Sequence, residues 1–180
     1  VNHYPFTTKQ IHVGHFIHRR LQYQLVDTPG LLDRPMEKRN DIELQAISAL
    51  ENLGSLVLFL VDESQDCGTS IEEQMNLLED VKVLLPGTEL MVVSSKADLM
   101  QPKPADWDLV RNSELEWIED GSEGEPDLPL LFDENDRVTM SAIEGVGMEA
   151  MKLEIVRKVK DSNVYDPMQL PDGWFRSDTE

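Results

Sequence analysis

Cysteine is nearly absent: Cys67 stands alone in 180 residues, which excludes an internal disulfide and leaves an inert small side chain. No apolar run approaches the roughly 18 residues that span a bilayer, so no membrane association is expected. The opening "VNHYPFTTKQ" has no signal-peptide core and no initiator Met; a cytoplasmic setting and a fragment of a longer protein are expected. Basic residues are scarce. Sixteen Lys and Arg face 35 Asp and Glu, a net charge of −19. Such a surface repels bare nucleic acid, so direct nucleic-acid binding by this chain is not expected. A solvated, halophile-like acidic surface and an acidic face matched to a basic partner both fit the charge. No internal repeat occurs.

What is present suits one domain with a real core, hydrophobic residues making up 40%. "IHVGHFIH" and "LQYQLVD" read as extended segments joined tightly at Arg19-Arg20, an antiparallel pair. "IELQAISALENLG" places Ile42, Ala46, Ala49, Leu50 and Leu53 on one helical face, with Gly54 as the stop. "SLVLFLVDE" is a continuous apolar run of the kind parallel strands show when covered on both faces. Ser70 and Glu73 have capping-box spacing, and Ile71, Met75, Leu78, Val81 and Leu85 follow as a stripe. "ELMVVSS" is a second buried strand; Leu109, Val110 and Trp117 belong to a helix; "EDGSEGEPDLPLLFDEND" reads as an acidic surface loop. "RVTMSA" is a short last strand, and Met148, Met151, Ile155 and Val159 line a closing helix with Arg157, Lys158 and Lys160 at its carboxyl end. Alternation of this kind implies a three-layer α/β domain over residues 1–160 with a mostly parallel sheet and one antiparallel strand. A polar tail takes up residues 161–180, in which Trp174 and Phe175 can dock.

Ligands of such sheets bind at the carboxyl ends of the strands, where Asp27, Asp62 and "SSKAD" fall. A carboxylate at Asp27 can hold a metal ion through water, and the Gly30 N–H can face a phosphate oxygen; equally, Asp27 can cap a turn. His12, His15 and His18 do not make a metal site, because a strand's period of two sends His15 to the opposite face. Asp62 reads as a turn-former, Glu63 and Asp66 as solvated, and Met75, Met91, Met148 and Met151 as core filler. Trp107 and Trp117 read as partial core or a partner patch.

Taken in order, Thr7-Thr8, "DTPG" at Asp27–Gly30, "SKAD" at Ser95–Asp98 and "SA" at Ser141-Ala142 resemble the switch and base-recognition motifs of P-loop GTPases. "YPFTTKQIHVGHF", "DTPGLLDRPMEKRNDIELQAISAL" and "VDESQDCGTSIEEQ" narrow this to the Obg-like branch, and within it to a resemblance to the nucleolar GTP-binding protein (Nog) family and its archaeal relatives. The resemblance implies a GTPase of large ribosomal subunit assembly, with Mg²⁺ and GTP or GDP as cofactors and the subunit or its assembly factors as partners. By the same resemblance, Thr8 (with Thr7 as the neighbouring alternative) engages Mg²⁺ and the γ-phosphate, and Asp27 holds the Mg²⁺ shell through water. Gly30 contacts the γ-phosphate. Asp98 accepts from the guanine N1 and N2 donors, the Lys96 stem packs over the base, and the Ala142 N–H donates to the guanine carbonyl oxygen. Thr8 and Gly30 are the residues nearest the chemistry.

Three departures from the family pattern matter. No G-x-x-x-x-G-K-[ST] loop occurs in the 180 residues, which implies a P-loop-GTPase-like domain without its first strand and phosphate loop, a poor GTPase as it stands. Ser95 replaces the usual Asn, and "SAI" the commoner "SAK". Leu31 and Leu32 follow the switch glycine, where a hydrophobic side chain cannot orient water. The rival reading is a nucleotide-independent protein-interaction module; a metal-dependent hydrolase lacks spaced ligands. If the absent strand is central, a slot opens in the sheet and either low stability or pairing with another chain is expected.

Overall fold

The computed structural model describes residues 12–27, 56–120 and 126–161, together with Asp41, Leu44, Ile47, Ser48 and Leu50. Thr7, Thr8, Gly30, Leu31, Leu32, Trp174 and Phe175 lie outside them. Strands β1 (His12–His18) and β2 (Leu21–Asp27) form the antiparallel hairpin. Its two-residue turn puts Arg19 at φ 49° and Arg20 at φ 66°, the type I′ arrangement whose twist matches that of the strands. Phe16 and Tyr23 pair across the hairpin, their rings stacked with centroids 5.1 Å apart.

The apolar runs form a separate parallel sheet, with β4 (Glu89–Ser95) between β3 (Leu56–Asp62) and the two-residue β5 (Val138–Thr139). Among the described residues, three helices whose bounds are given accompany it: α1 (Ile71–Leu84), α2 (Trp107–Asp120) and α3 (Met148–Asp161). Period-two alternation decides which helix each strand residue meets. Met91 and Val93 pack on Met151 and Ile155 of α3, with Leu56, Leu58 and hairpin residue Phe16 alongside. On the opposite face Val57 packs on Val81 and Leu85, at the end of α1, with Phe59, Leu90 and Leu50 beside them. The result is the expected three layers. The antiparallel pair is a sheet of its own, and among the described residues only β4 pairs with β3.

Helix α1 begins as its capping box implies: the Ser70 side chain accepts from the Glu73 N–H at 3.2 Å, and the Glu73 carboxylate accepts from the Ser70 N–H at 2.8 Å. The described residues between 41 and 50 are helical; Ile47 is buried and Leu50 half-buried, while Ile42, Ala46, Ala49, Leu53 and Gly54 lie outside the described residues. Of the expected acidic loop, the described part is not all surface. Leu131 is fully buried, in a cluster with Trp107, Val110 and Val146, and Asp133 is buried as well. Apolar Leu131 packs against α2, and its carbonyl accepts from the Thr139 N–H of β5 at 2.8 Å. No helix among the described residues is long and apolar enough to cross a membrane.

Candidate functional site

Asp62 and Ser95 end β3 and β4 opposite one another in the parallel register. The chain then reverses through Lys96, held at φ 56°, into a 3-10 turn over Ala97–Leu99. A left-handed lysine costs about 1–2 kcal/mol, so neighbours must enforce the turn. The Ala97 methyl is fully buried and its N–H donates to the Met140 carbonyl at 3.1 Å. This turn brings Asp98 to the loop after β5, where the Ser141 hydroxyl donates to Asp98 Oδ1 at 2.6 Å. Ser141 is itself fixed: its N–H donates to the Val146 carbonyl at 2.9 Å, and its Oγ accepts from the Glu144 N–H at 3.1 Å. Two motifs 43 residues apart therefore meet. Among the described residues Asp98 Oδ2 carries no hydrogen bond, and neither does the N–H of the exposed Ala142. Ile143, 85% exposed, and Leu99 give this mouth an apolar lip.

The Lys96 ammonium reaches back to β3, 2.6 Å from Asp62 Oδ2 and 3.4 Å from Asp66 Oδ2. Burial works against its charge, but the two carboxylates outweigh it and raise its pKa. Burial likewise pushes the Asp62 carboxyl up. Lys96, the Ser64 hydroxyl and the Cys67 N–H overcome that and hold it below the usual value. Asp62 is thus the turn-former expected: Oδ1 accepts from the Ser64 N–H at 3.0 Å and Oδ2 from the Cys67 N–H at 3.1 Å. Ser95 Oγ donates to the Val61 carbonyl at 3.0 Å, tying β4 to β3. Asp27 ends β2 opposite His12, exposed and on the other sheet. Asp98 and Ser141 are brought together, with Ser95, Lys96 and Ala142 beside them in the chain, while the Lys96 ammonium goes to Asp62; no described contact joins Asp27 to them.

Three supports escaped the sequence reading. The Gln74 amide lies in the apolar stripe of α1, accepts from the Asp62 N–H at 2.8 Å and donates to the Asp62 carbonyl at 3.0 Å, as a neighbouring strand would. Glu114, 3% exposed, accepts from the N–H groups of Gly147, Glu149 and Ala150 at 2.8, 2.9 and 3.0 Å and so caps α3. Asp133 accepts from the Ser94 hydroxyl and from the N–H groups of Asn135 and Arg137, which hold its carboxyl low although burial pushes it up. Glu63 is not solvated. Arg137 binds it at 2.7 Å, while burial and the facing Asp133 raise its pKa. A polar residue on an apolar helical stripe was the available signal for Gln74 and Glu114.

Known proteins resemble this chain over the same region. Residues 41–98 match the profile of the nucleolar GTP-binding protein 1 family. Nucleolar GTP-binding protein 1 of Saccharomyces cerevisiae is 45% identical over 106 residues, 59% of this chain and 16% of that protein. An uncharacterised protein of Methanocaldococcus jannaschii is 53% identical over 100 residues, 56% of this chain and 27% of that one. A crystal structure described as nucleolar GTP-binding protein 1 of Plasmodium falciparum is 33% identical with a TM-score of 0.57, over 84% of this chain and 71% of that one. The chain belongs to the nucleolar GTP-binding protein 1 family. It spans about a sixth of the length of the curated fungal relatives that it matches, which share 16% of their length with it. The profile match ends at Asp98, so the family likeness includes β3, α1, β4 and the Lys96–Asp98 turn.

Proposed function

We propose that this chain is the base-reading part of a GTP-binding, GTP-hydrolysing switch protein that acts in assembly of the large ribosomal subunit in the cytoplasm. The observation carrying the reading is the meeting of Asp98 with Ser141 at 2.6 Å, which leaves one carboxylate oxygen and the Ala142 N–H without a hydrogen bond among the described residues. A carboxylate there accepts from the N1 and N2 donors of guanine, whereas adenine offers no such pair. The Ala142 N–H donates to the guanine carbonyl oxygen, and the Lys96 stem packs over the ring. These residues fit a guanine base.

Within the same proposal, Thr8, or Thr7 beside it, joins Asp27 and Gly30 at the Mg²⁺ and γ-phosphate. Mg²⁺ held there would supply charge that offsets that of the phosphates. Without a glycine-lysine loop in its 180 residues, the isolated chain binds nucleotide weakly, and hydrolysis belongs to a longer protein. The rival, a protein-interaction module that never uses nucleotide, draws on Ser95, whose hydroxyl is committed to the Val61 carbonyl.

Calorimetric titration of GDP and ADP, into this chain and into one extended upstream by its genomic reading frame, separates the two. Two hydrogen bonds to a charged acceptor, at about 1.5–3 kcal/mol each, predict a GDP preference of about 100-fold or more. Equal affinities in the extended chain would refute the guanine reading and favour the module.

A further inference from the structure

We propose that Asp62 is the positioning residue for Lys96 in base recognition, an inference that rests on the guanine reading above. The stem of Lys96 starts at the end of β4 and its ammonium ends at Asp62, the end of β3, so it bridges two strand ends two residues from Asp98. A lysine left in solvent samples many rotamers and must give them up to lie along a base. Here that ordering is done in advance.

The anchor is stiffer than a surface ion pair, which would contribute little. The Asp62 side chain is only 9% exposed, and its two oxygens accept from Ser64, Cys67 and Lys96. Its backbone is clamped on both sides by the Gln74 amide. Asp66 supplies a second carboxylate, 3.4 Å from the ammonium. Engaging the ammonium also keeps it from neutralising Asp98, whose free oxygen must stay open to the base.

The test is a double-mutant cycle on GDP affinity in the upstream-extended chain, with each variant shown folded by circular dichroism. Asp62→Asn weakens GDP about tenfold in the parent and less than about twofold in a Lys96→Met background, because the effect runs through that lysine. A merely structural role gives the same loss in both backgrounds, which would overturn the inference, as would no loss in the parent. Should Asp62→Asn not fold, Asp66→Asn runs the same cycle, with a loss of about twofold in the parent and none beside Lys96→Met; any other pattern overturns the inference. A parent with no preference for GDP over ADP defeats the guanine reading itself. A parent with that preference but an additive cycle defeats only the role of Asp62.

Discussion

Removing the Glu114 carboxylate tests whether one side chain of α2 holds the start of α3. Glu114 is 3% exposed and accepts from three backbone N–H groups between 2.8 and 3.0 Å. Hydrogen bonds to a charged acceptor contribute about 1.5–3 kcal/mol each, and a buried donor left alone costs about 1–3 kcal/mol. The three are not additive, because they share one carboxylate and a helix end that can fray. The expected loss for Glu114→Ala is therefore about 4 kcal/mol, a large part of the 5–15 kcal/mol that domains have. Glu114→Gln keeps one acceptor oxygen but turns an amide N–H₂ toward donors and gives up the charge at the helix end, for about 2 kcal/mol. At about 2–4 °C per kcal/mol for a chain of this size, the alanine variant melts about 8–16 °C lower. Urea denaturation read by circular dichroism gives the free energy directly. Glu116→Ala, on the exposed side of the same helix, is the control and stays within about 0.5 kcal/mol. A loss below about 1 kcal/mol for Glu114→Ala would refute the capping argument.

Gly147 sits at φ 77°, and a Cβ there would meet the Thr139 carbonyl oxygen at 2.6 Å, so Gly147→Ala costs about 2 kcal/mol or more in the same urea assay. The Arg19-Arg20 turn needs positive φ at both residues, so replacing the pair by Asn-Gly raises stability by about 1 kcal/mol, measured as a shift in thermal midpoint. Glu63→Gln tests the raised Glu63 pKa. Because folding raises that pKa, the ionised group is penalised above it. The glutamine variant therefore gains on the parent at neutral pH, and the gain disappears as pH falls below the ordinary glutamate value of about 4.5; a gain independent of pH contradicts this. Asp62 has the opposite sign: its lowered pKa gives stability that is present above the unfolded value of about 3.9 and lost as pH falls through the folded one. The deficit of Asp62→Asn against the parent thus narrows in acid.

Local patterns carried most of the fold. The capping box at Ser70 and Glu73, the apolar strands and the tight turn at Arg19-Arg20 each involve residues a few positions apart, so spacing alone reveals them. Asp98 and Ser141 were legible as separate motifs for the same reason. What spacing could not reveal was distant pairing. Glu63 looks solvated until Arg137, 74 residues on, arrives to bind it. Gln74 and Glu114 look like ordinary helix polar residues until their partners, 12 and 33–36 residues away, are in place. In each case a strand end or helix end had backbone groups without partners, and a side chain from another element supplied them.

Strand β3 is short of such backbone partners among the described residues. Its residues alternate between the α1 and α3 faces as a covered central strand does, yet among the described residues only β4 bonds to it. Leu60 of β3 is 53% exposed, although it lies in an apolar strand. An open edge with an exposed leucine invites another strand. Two outcomes follow for the isolated 180-residue chain. Either it self-associates, seen as a dimer or larger species by light scattering, or it stays monomeric and melts below the roughly 45–65 °C of ordinary domains. Extending the chain upstream by its reading frame should raise the midpoint and suppress association together, because one strand paired to β3 would do both. A monodisperse monomer of the short chain melting above about 65 °C would show that the edge of β3 is already satisfied.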